Sequence, residues 1–222
     1  MTEVLKNKET VSFQAEVKQI LSLFANAMYS DKEIFLRELI SNSSDALEKF
    51  RYEQKNNAYK KEDNAELTIK VVSDPIKKTL TFIDNGLGMN MEDVKQNLGT
   101  IAHSGTKKFT SFLKQKDAQD SQDAQGGKGF IGQFGIGFYS AFVVANNVTV
   151  YSKKAGLKKD EAVYWRSAGQ GEYEVGHLSR DTRGTEVVLE LKDSESAFLE
   201  GWKLEQIINK FSDFLQFNIT LT

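Results

Sequence analysis

Within "FLRELISNSSDAL" (35–47), Glu38, Asn42 and Asp45 stand at i, i+4 and i+7. If one helix runs through the stretch, that spacing puts two carboxylates and an amide on a single face. A carboxylate and an amide would then project together from a largely buried helix, which is costly unless they are partnered; a hard cation held by oxygen ligands is compatible with the composition. The stretch has a second reading. Ser41, Asn42, Ser43, Ser44 and Asp45 are all weak helix formers, because short polar side chains compete for backbone hydrogen bonds. The helix would then break, with Asp45 capping a second helix and Glu48 closing its capping box. Spacing alone leaves both readings open.

A second candidate is Asp84 in "FIDNGLGMN" (82–90), where an apolar strand runs into Gly86 and Gly88. Asp-Asn-Gly at a strand end is a common turn. It also suits recognition: an acceptor-only carboxylate can take a hydrogen from a ligand amino group, and glycines let a flat ring approach the backbone. The third is "GGKGFIGQFGIGF" (126–138), with glycines at 126, 127, 129, 132, 135 and 137. Main-chain N–H groups freed of Cβ atoms can wrap phosphates. Phe130, Ile131, Phe134, Ile136 and Phe138 interleave with these glycines, unlike a solvated hinge, so the run reads as a phosphate-binding lid. Gly127, Gly129 and Gly132 match G-x-G-x-x-G, but a polar loop rather than an apolar strand precedes them, which excludes the dinucleotide-fold reading. No G-x-x-x-x-G-K-[ST] loop occurs. Thr185, opening the strand-like "TEVVLEL", and His103, in "TIAHSGTKKF", have ordinary structural readings as a β-former and a helix-end residue.

The elements that must hold these groups follow from periodicity. Phe13, Val17, Ile20, Leu21, Phe24 and Met28 mark an amphipathic helix, and Ser30 with Glu33 reads as a capping box before "DKEIFLRELI". "EQKNNAYKKEDNAE" (53–66) reads as a charged loop. "LTIKVV" and "TLTFI" alternate as strands around Asp74-Pro75. "MEDVKQNLGTIA" (91–102) reads as a helix, and 114–129, without a large apolar side chain, as a loop. "FYSAFVVA" (138–145) starts a buried element. "VTVYS", "AVYWRS", "EYEV" and "TEVVLEL" are strands, and a last helix covers 202–215. Strict strand–helix alternation is missing, so the fold class is α+β: helices layered on one face of a mostly antiparallel mixed sheet.

The chain has 222 residues and 40% hydrophobic side chains, enough for a full core in one domain. Its 29 basic and 31 acidic residues give no basic footprint for nucleic acid. With no cysteine, disulfides, thiol catalysis and cysteine-ligated metals are excluded, and two histidines are too few for a histidine-built metal centre. No apolar run reaches membrane-spanning length, and "MTEVLKNKET" has no apolar signal core. A soluble cytoplasmic protein is expected.

"EIFLRELISNSSDAL", "DNGLGM", "LGTIAHSGTKKF", "IGQFGIGFYSAF" and "RGTEV" occur in the order and context of the ninety-kilodalton heat-shock protein chaperones. The resemblance runs from about Phe13 to the end and is strongest to bacterial members. A wider superfamily, with DNA gyrase, mismatch-repair and histidine-kinase ATPase domains, shares the Asn, Asp-x-Gly-x-Gly and Gly-rich elements. The resemblance implies a two-layer nucleotide-binding domain over 1–222, with an unbroken helix through Asn42. It implies ATP or ADP with Mg²⁺ as ligands and Glu38 as the general base for the attacking water. Asn42 would hold the metal, Asp45 would belong to the same nucleotide-binding face, and Asp84 would accept from the adenine amino group. Gly88, Met89, Asn97 and Leu98 would line the base and sugar pocket. His103, Ser104, Gly105, Gly132, Gln133, Phe134, Gly135, Ile136, Gly137 and Phe138 would form the lid edge around the phosphates, and Thr185 would support Asp84 through water.

The family usually has lysine at the position of His103. A mostly neutral histidine there implies a weaker, pH-dependent phosphate contact. Family members continue into a middle domain, whose arginine reaches the γ-phosphate, and a dimerisation domain; neither fits within this chain. By itself the domain is expected to bind nucleotide and hydrolyse it little. In the full-length protein the partners would be client proteins, co-chaperones and a second copy, with no nucleic acid or membrane. The competing reading is a nucleotide-gated binding switch in which turnover is incidental.

Overall fold

The computed structural model describes residues 5–13, 32–56, 59, 65–99, 137–212 and 215–222. Eight strands form one sheet: β1 (Lys6–Ser12), β2 (Thr68–Asp74), β3 (Thr79–Asp84), β4 (Ala145–Lys153), β5 (Ala162–Ser167), β6 (Glu172–Leu178), β7 (Gly184–Leu191) and β8 (Asn218–Leu221). Their order is β1-β6-β5-β4-β7-β3-β2-β8, antiparallel throughout except for the parallel β2–β8 pair. The described helices are α1 (Ile34–Lys55), α2 (Met91–Leu98), α3 (Ala141–Val144) and α4 (Gly201–Ser212), with 3-10 turns at Gly137–Ser140, Lys159–Glu161 and Asp193–Leu199. This is the α+β architecture expected.

The pleat selects one buried face. Ile69 and Val71 of β2, Leu80 and Phe82 of β3, Val148 and Val150 of β4, Trp165 of β5, Val175 of β6 and Leu189 of β7 point inward at period two. α1 packs across this face. Phe35 meets the Phe82 ring edge-on at 6.4 Å and Phe198 at 5.1 Å. Phe13, Phe138, Tyr139, Trp165 and Tyr173 form an aromatic cluster at ring separations of 5.2–6.4 Å.

α1 does not break. Leu36, Leu39 and Ile40 before the polar stretch and Leu47 and Phe50 after it are all buried, so tertiary packing carries the helix across its weak residues. The loop after β3 also grips it: the Leu87 N–H donates to the Ala46 carbonyl at 3.0 Å. A Cβ on Gly86 would stand 2.6 Å from the Ala46 carbonyl carbon, so only glycine permits this approach.

Several boundaries differ from the sequence reading. α1 extends to Lys55, taking in the start of the stretch read as a loop from 53. Glu33 precedes the helix without a side-chain cap, and its carboxylate instead accepts from Lys210 at 3.1 Å; Ser30 lies outside the described residues. So do the helical positions from Val17 to Met28 and the loop 114–129. "FYSAFVVA" resolves into a 3-10 turn, the short α3 and Ala145, the first residue of β4. Sequence patterning does not reveal β1 and β8, the two sheet edges. β1 is almost wholly exposed and β8 has only four residues, so neither carries a full inward-facing alternation.

Candidate functional site

Asp84 follows Leu80 and Phe82 at period two, which turns its carboxylate onto the buried face. Strand register then aligns a row across the sheet: Ile69 opposite Asp84, Asp84 opposite Thr185, Thr185 opposite Ser152, and Ser152 opposite Val163. Three polar side chains therefore lie side by side in a largely apolar face. Asp84 is 5% exposed. Its Oδ1 accepts from the Gly86 N–H at 2.9 Å, and Ser43 and the Thr185 main chain also bond to the carboxylate. Burial dominates, and lifts the Asp84 carboxyl to about 7 against the pull of these donors.

Above this row lies a cavity of about 590 Å³ between α1, α2 and the sheet. Its walls include Glu38, Asn42, Asp45, Asp84, Gly88, Met89, Asn97, Leu98, Gly137, Phe138 and Thr185, every described residue that the sequence reading put in a site. His103, Ser104, Gly105, Gly132, Gln133, Phe134, Gly135 and Ile136 lie outside the described residues.

α1 fixes the two ends of the cavity. Near its start Glu38 is buried, and its Oε2 lies against Gly137, where any Cβ would collide with it. Burial pushes the Glu38 carboxyl upward, while Arg37 holds it back, donating from Nη2 to Oε1 at 3.0 Å. Two turns on, Ala46 meets Gly86 and Leu87 beside Asp84. Eight residues of helix separate these contacts by about 12 Å. Asn42 and Asp45 are exposed on the helix between Glu38 and Ala46.

The loop 85–90 is clamped from both sides. Gly88 has φ +67°, and a Cβ there would run into the Lys153 carbonyl. The Met89 N–H donates to Ser152 Oγ at 2.8 Å, and the Ala155 N–H to the Leu87 carbonyl at 2.8 Å. Asn90 then caps α2 in a full capping box with Asp93. The same Asp93 carboxylate pairs with Lys154 at 2.9 Å. At the other end of α2 the Tyr139 hydroxyl donates to the Leu98 carbonyl at 3.1 Å.

Sequence reasoning missed Lys49, Asp93 and Lys154 in the walls, and Ser152 beneath them. Ser152 carried a readable signal: a hydroxyl in phase with Val148 and Val150 along an apolar strand. The lysines carried none, because nothing local separates them from solvated surface.

Chemically, the cavity pairs a buried acceptor at one end with a sheltered carboxylate at the other. Four wall carboxylates, Glu38, Asp45, Asp84 and Asp93, face two wall lysines, Lys49 and Lys154. Asp93 is paired with Lys154 and Glu38 with Arg37, so a cation accompanying a polyanion would offset the remaining acidic groups, Asp45 and Asp84 when ionised. Oxygen donors on Glu38, Asn42 and Asp45 fit a hard divalent ion. No cluster of three or more histidine, cysteine or acidic ligands exists among the described residues, so a protein-only metal cage is not built from them.

The profile of the histidine kinase-, DNA gyrase B- and HSP90-like ATPases matches residues 29–195, which includes every described wall of the cavity. The chain belongs to this family. It is also similar to the chaperone protein HtpG of several bacteria. It is 52% identical over 213 residues to that of Coxiella burnetii strain RSA 331, covering 96% of this chain and 32% of that protein. The HtpG of Citrobacter koseri is 50% identical over 211 residues, covering 95% and 33%. That of Vibrio parahaemolyticus is 48% identical over 218 residues, covering 98% and 33%. The chain thus spans about a third of the length of the curated relatives it matches. Among the described residues no helix is long and apolar enough to cross a membrane.

Proposed function

We propose that the cavity binds ATP and ADP with Mg²⁺, and that ATP hydrolysis here drives the conformational cycle of a longer, dimeric chaperone acting on client proteins. The observation that carries this reading is Asp84: a buried acceptor in a cavity of nucleotide size, two helical turns along α1 from a sheltered carboxylate. The adenine amino group donates to Asp84. Guanine presents a carbonyl oxygen at that point, and two acceptors repel. Gly88, Met89, Asn97 and Leu98 flank the base and sugar. The phosphates lie toward Glu38, Gly137 and Phe138; His103, Ser104, Gly105, Gly132, Gln133, Phe134, Gly135 and Ile136, outside the described residues, are assigned to phosphate contact by the family resemblance alone.

Asn42 would hold Mg²⁺ together with phosphate and water oxygens. The ion's contribution is to neutralise phosphate charge that the acidic wall would otherwise repel. Glu38 takes a proton from a water, which attacks the γ-phosphorus in line as the bond to the ADP oxygen breaks. Burial raises the basicity of Glu38, which suits that task. Little else is needed beyond positioning and electrostatics, and a charge-stabilising group contributed from elsewhere in a longer protein would speed the turnover.

A second reading has its own observation. Arg37 occupies Glu38 Oε1, and a carboxylate held by a guanidinium is a poorer base. On that reading the domain is a nucleotide-gated switch whose turnover is incidental. Glu38→Ala in the longer protein separates the two. Loss of both hydrolysis and client rescue with retained ATP binding supports the ATP-driven cycle; retained client rescue supports the switch.

A further inference from the structure

Ser152 is fully buried and lines no part of the cavity; it sits beneath Thr185 on the neighbouring strand. Three groups crowd its single hydroxyl: the Met89 N–H at 2.8 Å, the Gly184 carbonyl at 3.1 Å and Thr185 Oγ1 at 2.9 Å. A serine hydroxyl has one proton and two lone pairs. Met89 N–H can only donate and takes one lone pair. The Gly184 carbonyl can only accept and takes the proton. All three contacts are satisfied together only if Thr185 donates to the remaining lone pair. The other order, with Ser152 donating to Thr185, leaves the Gly184 contact without a hydrogen, in a place where water cannot replace it.

We propose that Ser152 is a positioning residue for base selection: it draws the Thr185 proton downward, so that Thr185 offers the cavity only lone pairs, and it tethers the Met89 main chain to the same floor. This rests on the reading of the cavity as an adenine nucleotide site. Asp84 and Thr185 are directly opposed across β3 and β7, so the floor presents two neighbouring acceptors. Such a floor matches a group carrying two hydrogens, the exocyclic amino group itself or a water that donates twice. Without Ser152 the Thr185 hydroxyl turns freely, can donate into the cavity, and competes with the ligand for Asp84. Met89 N–H also loses its acceptor.

The test compares ATP with purine riboside triphosphate, which lacks the amino group, by calorimetric titration of the 222-residue chain with Mg²⁺. Wild type prefers ATP. In Ser152→Ala, ATP binding falls about tenfold, the scale of one lost net hydrogen bond. The amino-free nucleotide loses much less, so the preference collapses. Ser152→Thr, which restores the hydroxyl, restores the preference. A merely structural role would weaken both nucleotides alike and leave their ratio unchanged, which would overturn the proposal. Should Ser152→Ala fail to fold by circular dichroism, Thr185→Val and Thr185→Ser decide instead. The proposal requires that the valine variant lose the preference and the serine variant keep it; equal ratios in the two overturn it. A wild type with no preference for ATP would overturn the adenine reading as well, whereas a wild-type preference untouched by Ser152→Ala would overturn the Ser152 role alone.

Discussion

Replacing Asp84 with asparagine should make the protein more stable and less able to bind adenine, with the gain growing as pH rises. The unfolded carboxyl ionises near 3.8 and the folded one at about 7. Between those values the folded chain holds a proton that the unfolded chain has released. Stability contributed by this group is therefore highest below 3.8, declines as pH rises through the window up to 7, and stays reduced above it. The full span is about three pH units, or a ceiling of about 4 kcal/mol at roughly 1.4 kcal/mol per unit. About 2–3 kcal/mol of that falls between pH 5 and pH 8 by the same relation. An asparagine side chain in place of Asp84 would keep an acceptor for the Gly86 N–H and cannot ionise. Urea unfolding of wild type and Asp84→Asn at pH 5 and pH 8 measures the difference directly, since other groups titrate equally in both. The stability gap should widen in favour of the variant by about 2–3 kcal/mol. A gap that stays constant would refute the claim that burial dominates at Asp84. Binding runs the other way: adenosine, which has no phosphate to titrate, needs the ionised acceptor, so its affinity should rise about tenfold from pH 6 to pH 8.

Other expectations follow from the opposite end of the cavity. Glu38→Ala should slow phosphate release by the longer protein about 100-fold or more, the usual worth of a general base, with ATP affinity changed little; an unaltered rate would remove Glu38 from the chemistry. Gly137→Ala puts a methyl group into the Glu38 carboxylate, so it should depress hydrolysis more than nucleotide binding; normal turnover in that variant would mean that the contact does not position Glu38. His103→Ala should flatten any rise in ATP affinity toward acid pH that adenosine lacks. A comparison of ATP with adenosine at pH 6 and 7.5 checks this, and identical profiles in wild type and variant would rule out a His103 phosphate contact.

Much of the sheet and the helix positions was legible because burial imposes short periods. β2 and β3 alternate, their turn carries Asp74, whose Oδ1 accepts from Ile76 and Lys77, and Val94 and Leu98 mark the buried side of α2. The continuity of α1 was not legible from propensity. Ser41 to Asp45 argue for a break, and what overrules them is Leu39, Ile40, Leu47 and Phe50 packing on both sides, together with a loop far along the chain. Family resemblance supplied that continuity where residue types could not. Asp84 was visible at the end of an apolar strand running into Gly86 and Gly88, but its row with Thr185 and Ser152 depends on the register between β3, β7 and β4. Register between strands so distant in sequence is set by tertiary packing, and no local pattern records it. The edge strands escaped notice for the complementary reason: exposed strands have no burial to impose alternation.

The most direct test of the central claim is calorimetric titration of this chain with ATP, ADP and GTP in Mg²⁺, with Asp84→Asn alongside. Binding of both adenine nucleotides, failure of GTP, and loss of binding in a variant that remains folded are the results predicted. Equal binding of GTP, or adenine nucleotide binding that survives Asp84→Asn, would contradict the assignment of Asp84 as the reader of the base.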